Sequence, residues 1–141
     1  MKKILNIKNF VFLLYISLSL ITFLNHTPWR DEAQAWLIAR DSSDVFSMFN
    51  QIRYEGTPPL WHLILFPMAK LGLPYISMGI LHLLLNWTLV FLIVYKAPFN
   101  LLQKILIIFG HVIFFEYAIV ARSYVLTMLL MLLIASLYKH F

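Results

Sequence analysis

The sequence predicts an all-α integral membrane protein of about four to five transmembrane helices, with amphipathic interfacial helices in the first outer loop. Three observations predict it. Of 141 residues, 62% are hydrophobic and 12% charged, against about 25% charged in a soluble domain. The apolar residues fall in blocks, several near the roughly 20 residues that cross a hydrocarbon core. The few charges gather between and beside those blocks, with lysines at their flanks, so the net charge of +5 is an orientation signal and no nucleic-acid partner is expected. The chain reads as one membrane domain over residues 1–141, with a first transmembrane helix over 9–25, an outer loop over 26–58 and hydrophobic helices over 59–141. It contains no cysteine, which removes disulfides, thiolate metal sites and cysteine nucleophiles together.

The first block follows Lys2, Lys3 and Lys8 and carries no formal charge from residue 9 to 29. A basic start before an apolar core is also the signature of a signal peptide. The block ends in Thr22-Phe23-Leu24-Asn25-His26, however, which lacks a small-x-small cleavage site, so an uncleaved anchor is expected. The lysines place its N-terminus in the cytoplasm. The polar stretch that follows, about 25–57, holds eight charged residues and is expected outside.

Two short helices are predicted there. Thr27 suits an N-cap and Pro28 a first helical position, which puts Asp31 and Glu32 in the first turn, where the helix dipole favours acids. Trp29, Ala33, Trp36 and Leu37 then share an apolar face. Ser43 or Asp44 caps a second helix whose Val45, Met48, Phe49 and Ile52 follow the helical period. Both are expected to lie along the membrane with tryptophan at headgroup level. Pro58-Pro59 ends the loop and starts the next helix.

Beyond the loop, residues 75–95 form a clear span. Residues 60–73 are shorter and contain Pro67 and Lys70; they either cross or pack as a partial or interfacial helix. Only the second arrangement returns Lys96 and Lys104 to the cytoplasm, as the positive-inside bias prefers. Residues 105–138 number 34, about 51 Å as a helix, too long for one crossing. A hairpin is therefore predicted, turning at 116–123, which places Glu116 and Arg122 outside. The competing expectation for those two is an ion pair inside a bundle. His62, His82 and His111 show no close ligand spacing and read as bundle histidines, and Asn86 as interhelical glue. No Gly-rich phosphate loop, nucleophile elbow or zinc-protease motif occurs.

A basic anchor, an outer loop opening with Asp31-Glu32, amphipathic helices, and Glu55 shortly before Pro58-Pro59-Leu60-Trp61 together resemble the N-terminal part of the C-type membrane glycosyltransferases. Similarity is greatest to the protein mannosyltransferases and the bacterial aminoarabinose transferases. A segment at 117–126, containing Arg122, is similar to a family segment in which arginine usually precedes proline; Ser123 stands there instead. Thr57 and Gln34 replace basic residues common in the family. The resemblance implies a transferase that moves a sugar from a polyprenyl-phosphate donor to a lipid, glycan or protein acceptor on the outer face of a bacterial inner (plasma) membrane. It also implies that this chain is the N-terminal part of a longer fold and is inactive by itself.

Carried over by position, Asp31 and Glu32 are the expected catalytic acids. Glu55, with Arg122, Arg53 and Lys70, is expected at the donor phosphate, and Asp31 and Glu55 at a divalent metal ion if one is used. The chemistry needs a base for the acceptor's proton and positive charge for the departing phosphate. Asp31 is the better base because it turns away from the apolar face, and Arg122 the better cation because a guanidinium matches phosphate with paired donors. The alternative class is a small non-enzymatic membrane protein that assembles with partner subunits.

Overall fold

The computed structural model of the chain describes residues 2–53 and 56–138, and all regular structure among them is helical. Seven α-helices follow one another: α1 Lys2–Leu24, α2 Arg30–Asp41, α3 Val45–Ile52, α4 Pro59–Lys70, α5 Ile76–Tyr95, α6 Leu101–Ile108 and α7 Tyr124–Tyr138. A π-helical turn, Val112–Glu116, lies between α6 and α7. Among the described residues two stretches are long and apolar enough to cross a membrane, Asn6–Leu24 and Ile76–Tyr95, and α7 is a shorter apolar helix.

α1 starts earlier than the apolar block it was expected to match, because the lysine-bearing start is itself a good helix former. Its pairing with α5 sets the frame. Tyr95 Oη donates to Asn9 Oδ1 at 2.6 Å, Tyr15 Oη to Asn86 Oδ1 at 2.8 Å, and Trp87 Nε1 to Ser19 Oγ at 2.9 Å. Gly79 backs onto Phe23, so closely that a Cβ there would come within 2.6 Å of the ring. Residues rising along α1 thus meet residues falling along α5, and the two helices are antiparallel. Asn9 and Tyr95 mark the lower end of the bundle, and Phe23 and Gly79 the upper.

Because α1 finishes and α5 begins at the upper end, everything between them stays there. The 60–73 segment therefore does not traverse the bundle: α4 lies beside α2 at the upper end, sharing with it a core of Trp36, Ala39, Trp61 and Leu65. Pro59 opens α4 at its first position, as expected. Asp44 caps α3, its carboxylate accepting from Ser47 N at 2.9 Å. Two expectations for this region are corrected. α2 begins at Arg30 with Trp29 as its N-cap, two residues after Thr27, because the Glu32 carboxylate reaches back to the Trp29 amide at 2.6 Å. Its buried face is Glu32, Trp36 and Ala39, while Trp29 and Leu37 are exposed. Trp36 is accordingly buried against Trp61 in a protein core.

From the lower end the chain climbs again. Asn100 and Gln103 form a reciprocal capping box at the start of α6, and Lys104 buries its chain to donate to Val94 O at 2.9 Å, closing the C-terminus of α5. α6 breaks at Phe109 and Gly110, sooner than the 116–123 turn read from the sequence. Tyr117 N then bonds Val112 O at 2.8 Å, the five-residue spacing of a π-helix. Asn86 supports the irregular backbone from α5, donating to Ile113 O and Tyr117 O at 3.3 and 3.0 Å. The turn before α7 does fall at 117–123, and Ala118 to Ala121 are buried in it. α7 descends along α5.

Candidate functional site

The α2 start and the 117–123 turn meet at the upper end, and the meeting is made by one carboxylate. Glu32 is 2% exposed. Its Oε1 accepts from Ala121 N at 2.7 Å, and its Oε2 accepts from Trp29 N at 2.6 Å and lies 2.9 Å from His26 Nε2. Burial of a carboxylate is tolerated only with such donors. Tyr75 stands beside it across a void of about 50 Å³; burial, and then the Glu32 charge, push its phenol up to about 12.

Asp31 precedes Glu32, and successive helical residues point about 100° apart. With Glu32 inward, Asp31 faces out over the turn, its carboxylate 55% exposed and 3.4 Å from Arg122 Nη1. Arg122 also lies over the Tyr124 ring, 5.0 Å from its centroid. The two charges stand in a cleft of about 200 Å³ lined by Asp31, Gln34, Ala35, Thr57, Trp61, His62, Ala121, Arg122 and Ser123. Three segments far apart in sequence therefore converge: the acidic pair, the residues around Pro58-Pro59, and the Arg122 turn. Below the cleft the buried Trp61 packs edge-on to His82, ring centroids 5.9 Å apart.

Of the residues singled out by sequence, Asp31 and Arg122 are together in the cleft. Glu32 is not; its oxygens are taken up by His26, Trp29 and Ala121. Lys70 is elsewhere, donating to Arg40 O at 2.9 Å near the C-terminal end of α2 and lying over Phe66. Arg53 follows α3, exposed and outside the cleft lining. Glu55 lies outside the described residues. Glu116, expected as a possible partner of Arg122, does not take that role, since Arg122 pairs with Asp31. The local part of the Glu32 anchor was legible as an acid three residues into a helix; its bond to Ala121, 89 residues away, had no sequence signal.

A divalent ion is not accounted for by the described side chains. Among them no three His, Cys, Asp or Glu residues stand close enough to hold one, and Asp31 is engaged with a cation. No step is derived through a metal. No family model, curated protein or solved structure matches the chain.

Proposed function

We propose that the chain is the N-terminal module of a membrane glycosyltransferase that uses a polyprenyl-phosphate-linked sugar, complete transfer requiring further helices. The observation that carries this reading is the 3.4 Å Asp31–Arg122 pair in a cleft at the upper end, between the two motifs that resemble such enzymes. The acceptor hydroxyl attacks the anomeric carbon, the bond from that carbon to the phosphate oxygen breaks, and the hydroxyl proton passes to Asp31. Arg122 neutralises the departing polyprenyl phosphate. At 3.4 Å the resting ion pair is loose, longer than a strong charge-assisted hydrogen bond. A donor phosphate competes for the guanidinium, and taking it frees Asp31 to accept the proton.

The membrane arrangement belongs to the same proposal. α1, α5, the irregular 101–121 ascent and α7 make four crossings, while α2, α3 and α4 lie on the outer side. Support comes from charge: Lys96 and Lys104 lie at the lower end with the lysine-bearing start of α1, as the positive-inside bias requires of a cytoplasmic face. The surrounding compartment would be a bacterial plasma membrane.

The test is binding of polyprenyl phosphate to the purified chain in nanodiscs, measured beside the phosphate-free polyprenol. Phosphate-dependent binding, weakened about tenfold or more by Arg122→Gln, is expected, and in a complete enzyme Asp31→Asn should abolish transfer without loss of insertion. Equal affinity for the phosphate and the alcohol, or transfer near the normal rate by Asp31→Asn, would remove the reading.

A further inference from the structure

Two consecutive carboxylates grip two consecutive residues. Glu32 holds the backbone amide of Ala121 at 2.7 Å, and Asp31 holds the side chain of Arg122 at 3.4 Å. We infer that Glu32 is a positioning residue for the cleft: by fixing Ala121 it sets where Arg122 enters, and so the separation between the proposed base and the proposed phosphate-binding cation.

The grip is directed at the turn and not merely at α2. A capping acid needs only the Trp29 amide, which Oε2 already takes, yet Oε1 is spent on a residue of another segment. Around Ala121 the turn is buried, from Ala118 to Ser123 except the partly exposed Arg122. Arg122 is thus the side chain that this tightly held turn releases into the cleft. Its guanidinium meets Asp31 and lies over the Tyr124 ring, one contact loose and the other non-directional. Neither would define its position if the backbone were free. His26 completes the anchor from the end of α1, so the carboxylate ties α1, α2 and the turn at one point.

This inference rests on the proposed function only for its functional arm. Its structural arm is independent, and the absence of cysteine makes it practical. Nitroxide labels at Arg30→Cys and Thr127→Cys, both exposed, report the distance between the α2 start and the residues after the turn. Glu32→Ala should broaden that distribution and shift it to longer distance. Glu32→Gln should do so in part, since its amide oxygen accepts but its amino group opposes a donor. If Glu32→Ala fails to fold, Glu32→Gln decides alone.

In the binding assay, Glu32→Gln should weaken polyprenyl phosphate several-fold and leave polyprenol unchanged. Combined with Arg122→Gln it should add little, because both act on the same guanidinium. A folded Glu32→Gln with the wild-type distance distribution and wild-type binding would overturn the positioning role. Wild-type binding by Arg122→Gln together with a broadened Glu32 variant would leave the positioning role standing and sink the assignment of Arg122 to phosphate.

Discussion

Replacing Asn86 with leucine should destabilise the bundle by about 1 to 3 kcal/mol. The side chain is fully buried in α5, and leucine keeps its branched heavy-atom outline, so the change removes polar partners and leaves no cavity. Its amide donates to Ile113 O and Tyr117 O at 3.3 and 3.0 Å and its oxygen accepts from Tyr15 Oη at 2.8 Å. Ile113 O keeps a partner after the change, because Tyr15 Oη also lies 3.1 Å from it. Tyr117 O loses its side-chain donor. A buried carbonyl left unmade costs about 1–3 kcal/mol, while interhelical hydrogen bonds within membranes average about 0.6 and reach about 1.7 each; both estimates meet in the stated range. The assay is reversible unfolding in mixed micelles followed by far-ultraviolet circular dichroism, with amide exchange to localise the effect. Protection should fall first across 112–121. Tyr15→Phe should cost less, and the double variant should be non-additive, since the phenol shifts wholly to Ile113 O once Asn86 is gone. An Asn86→Leu protein within about 0.5 kcal/mol of wild type, with Tyr15→Phe simply additive, would refute the claim that this network holds the π-helical turn.

The other predictions concern topology, the helix break and a cap. With the proposed orientation, a cysteine at Ser43 should react with an impermeant thiol reagent added to intact cells, and one at Asn100 only after permeabilisation; the reverse pattern would invert the molecule, and labelling of both would put α4 or α5 in the wrong place. Gly110→Ala should destabilise by about 1–3 kcal/mol, because its Cβ would come 2.9 Å from Leu106 O, a backbone atom with little room to yield; an unchanged midpoint in the same micelle titration would count against a helix break at Gly110. Asp44 caps α3, and the Ser47 amide, then the Ser43 hydroxyl, hold its carboxyl below the usual range. That stabilisation is present above the ordinary carboxylate value of about 4 and is lost as pH falls through the lowered one. Exchange protection of 45–52, corrected for intrinsic rates, should therefore drop in acid, and Asp44→Asn should abolish the dependence; an identical acid profile in that variant would exclude Asp44 as its origin.

How much of this was legible varies with the range of the interaction responsible. The α1 and α5 stretches are read directly from runs of apolar residues, and α3 from a short period with an acid before it. Pro59 announces α4. The length of 60–73 was compatible with two arrangements, and its place at one end of the bundle is a matter of contact: Gly79 against Phe23 and Tyr95 against Asn9 return α5 to α1 in antiparallel register. The α2 face was read correctly at Trp36 but missed Glu32, because a hydropathy pattern counts glutamate as outward-facing. Glu32 is buried by donors that come from His26, Trp29 and Ala121, and only the first two are near in sequence. In the same way Asp31 and Arg122 were each legible as chemistry-bearing residues, but their pairing across most of the chain was a matter of topology. Lys70 illustrates the converse. It had the right charge for a phosphate, and the fold gives it to Arg40 O.

The irregular ascent from α6 to Arg122 links these two levels. A π-helical turn takes one more residue than an α-turn, which rotates all that follows by about 100° relative to an unbroken helix. Beyond it the 117–123 turn lies against α2, with the Ala121 amide toward Glu32 and the next side chain toward Asp31. Such a turn exposes carbonyls that an apolar surrounding does not satisfy, so it requires a polar residue on a neighbouring helix at the same depth. Asn86 and Tyr15 supply it, from two different helices. The buried amide in the middle of α5 and the acidic pair above it therefore hold one segment at two levels: the first at the π-helical turn, through Ile113 O and Tyr117 O, and the second at the 121–122 turn that follows it.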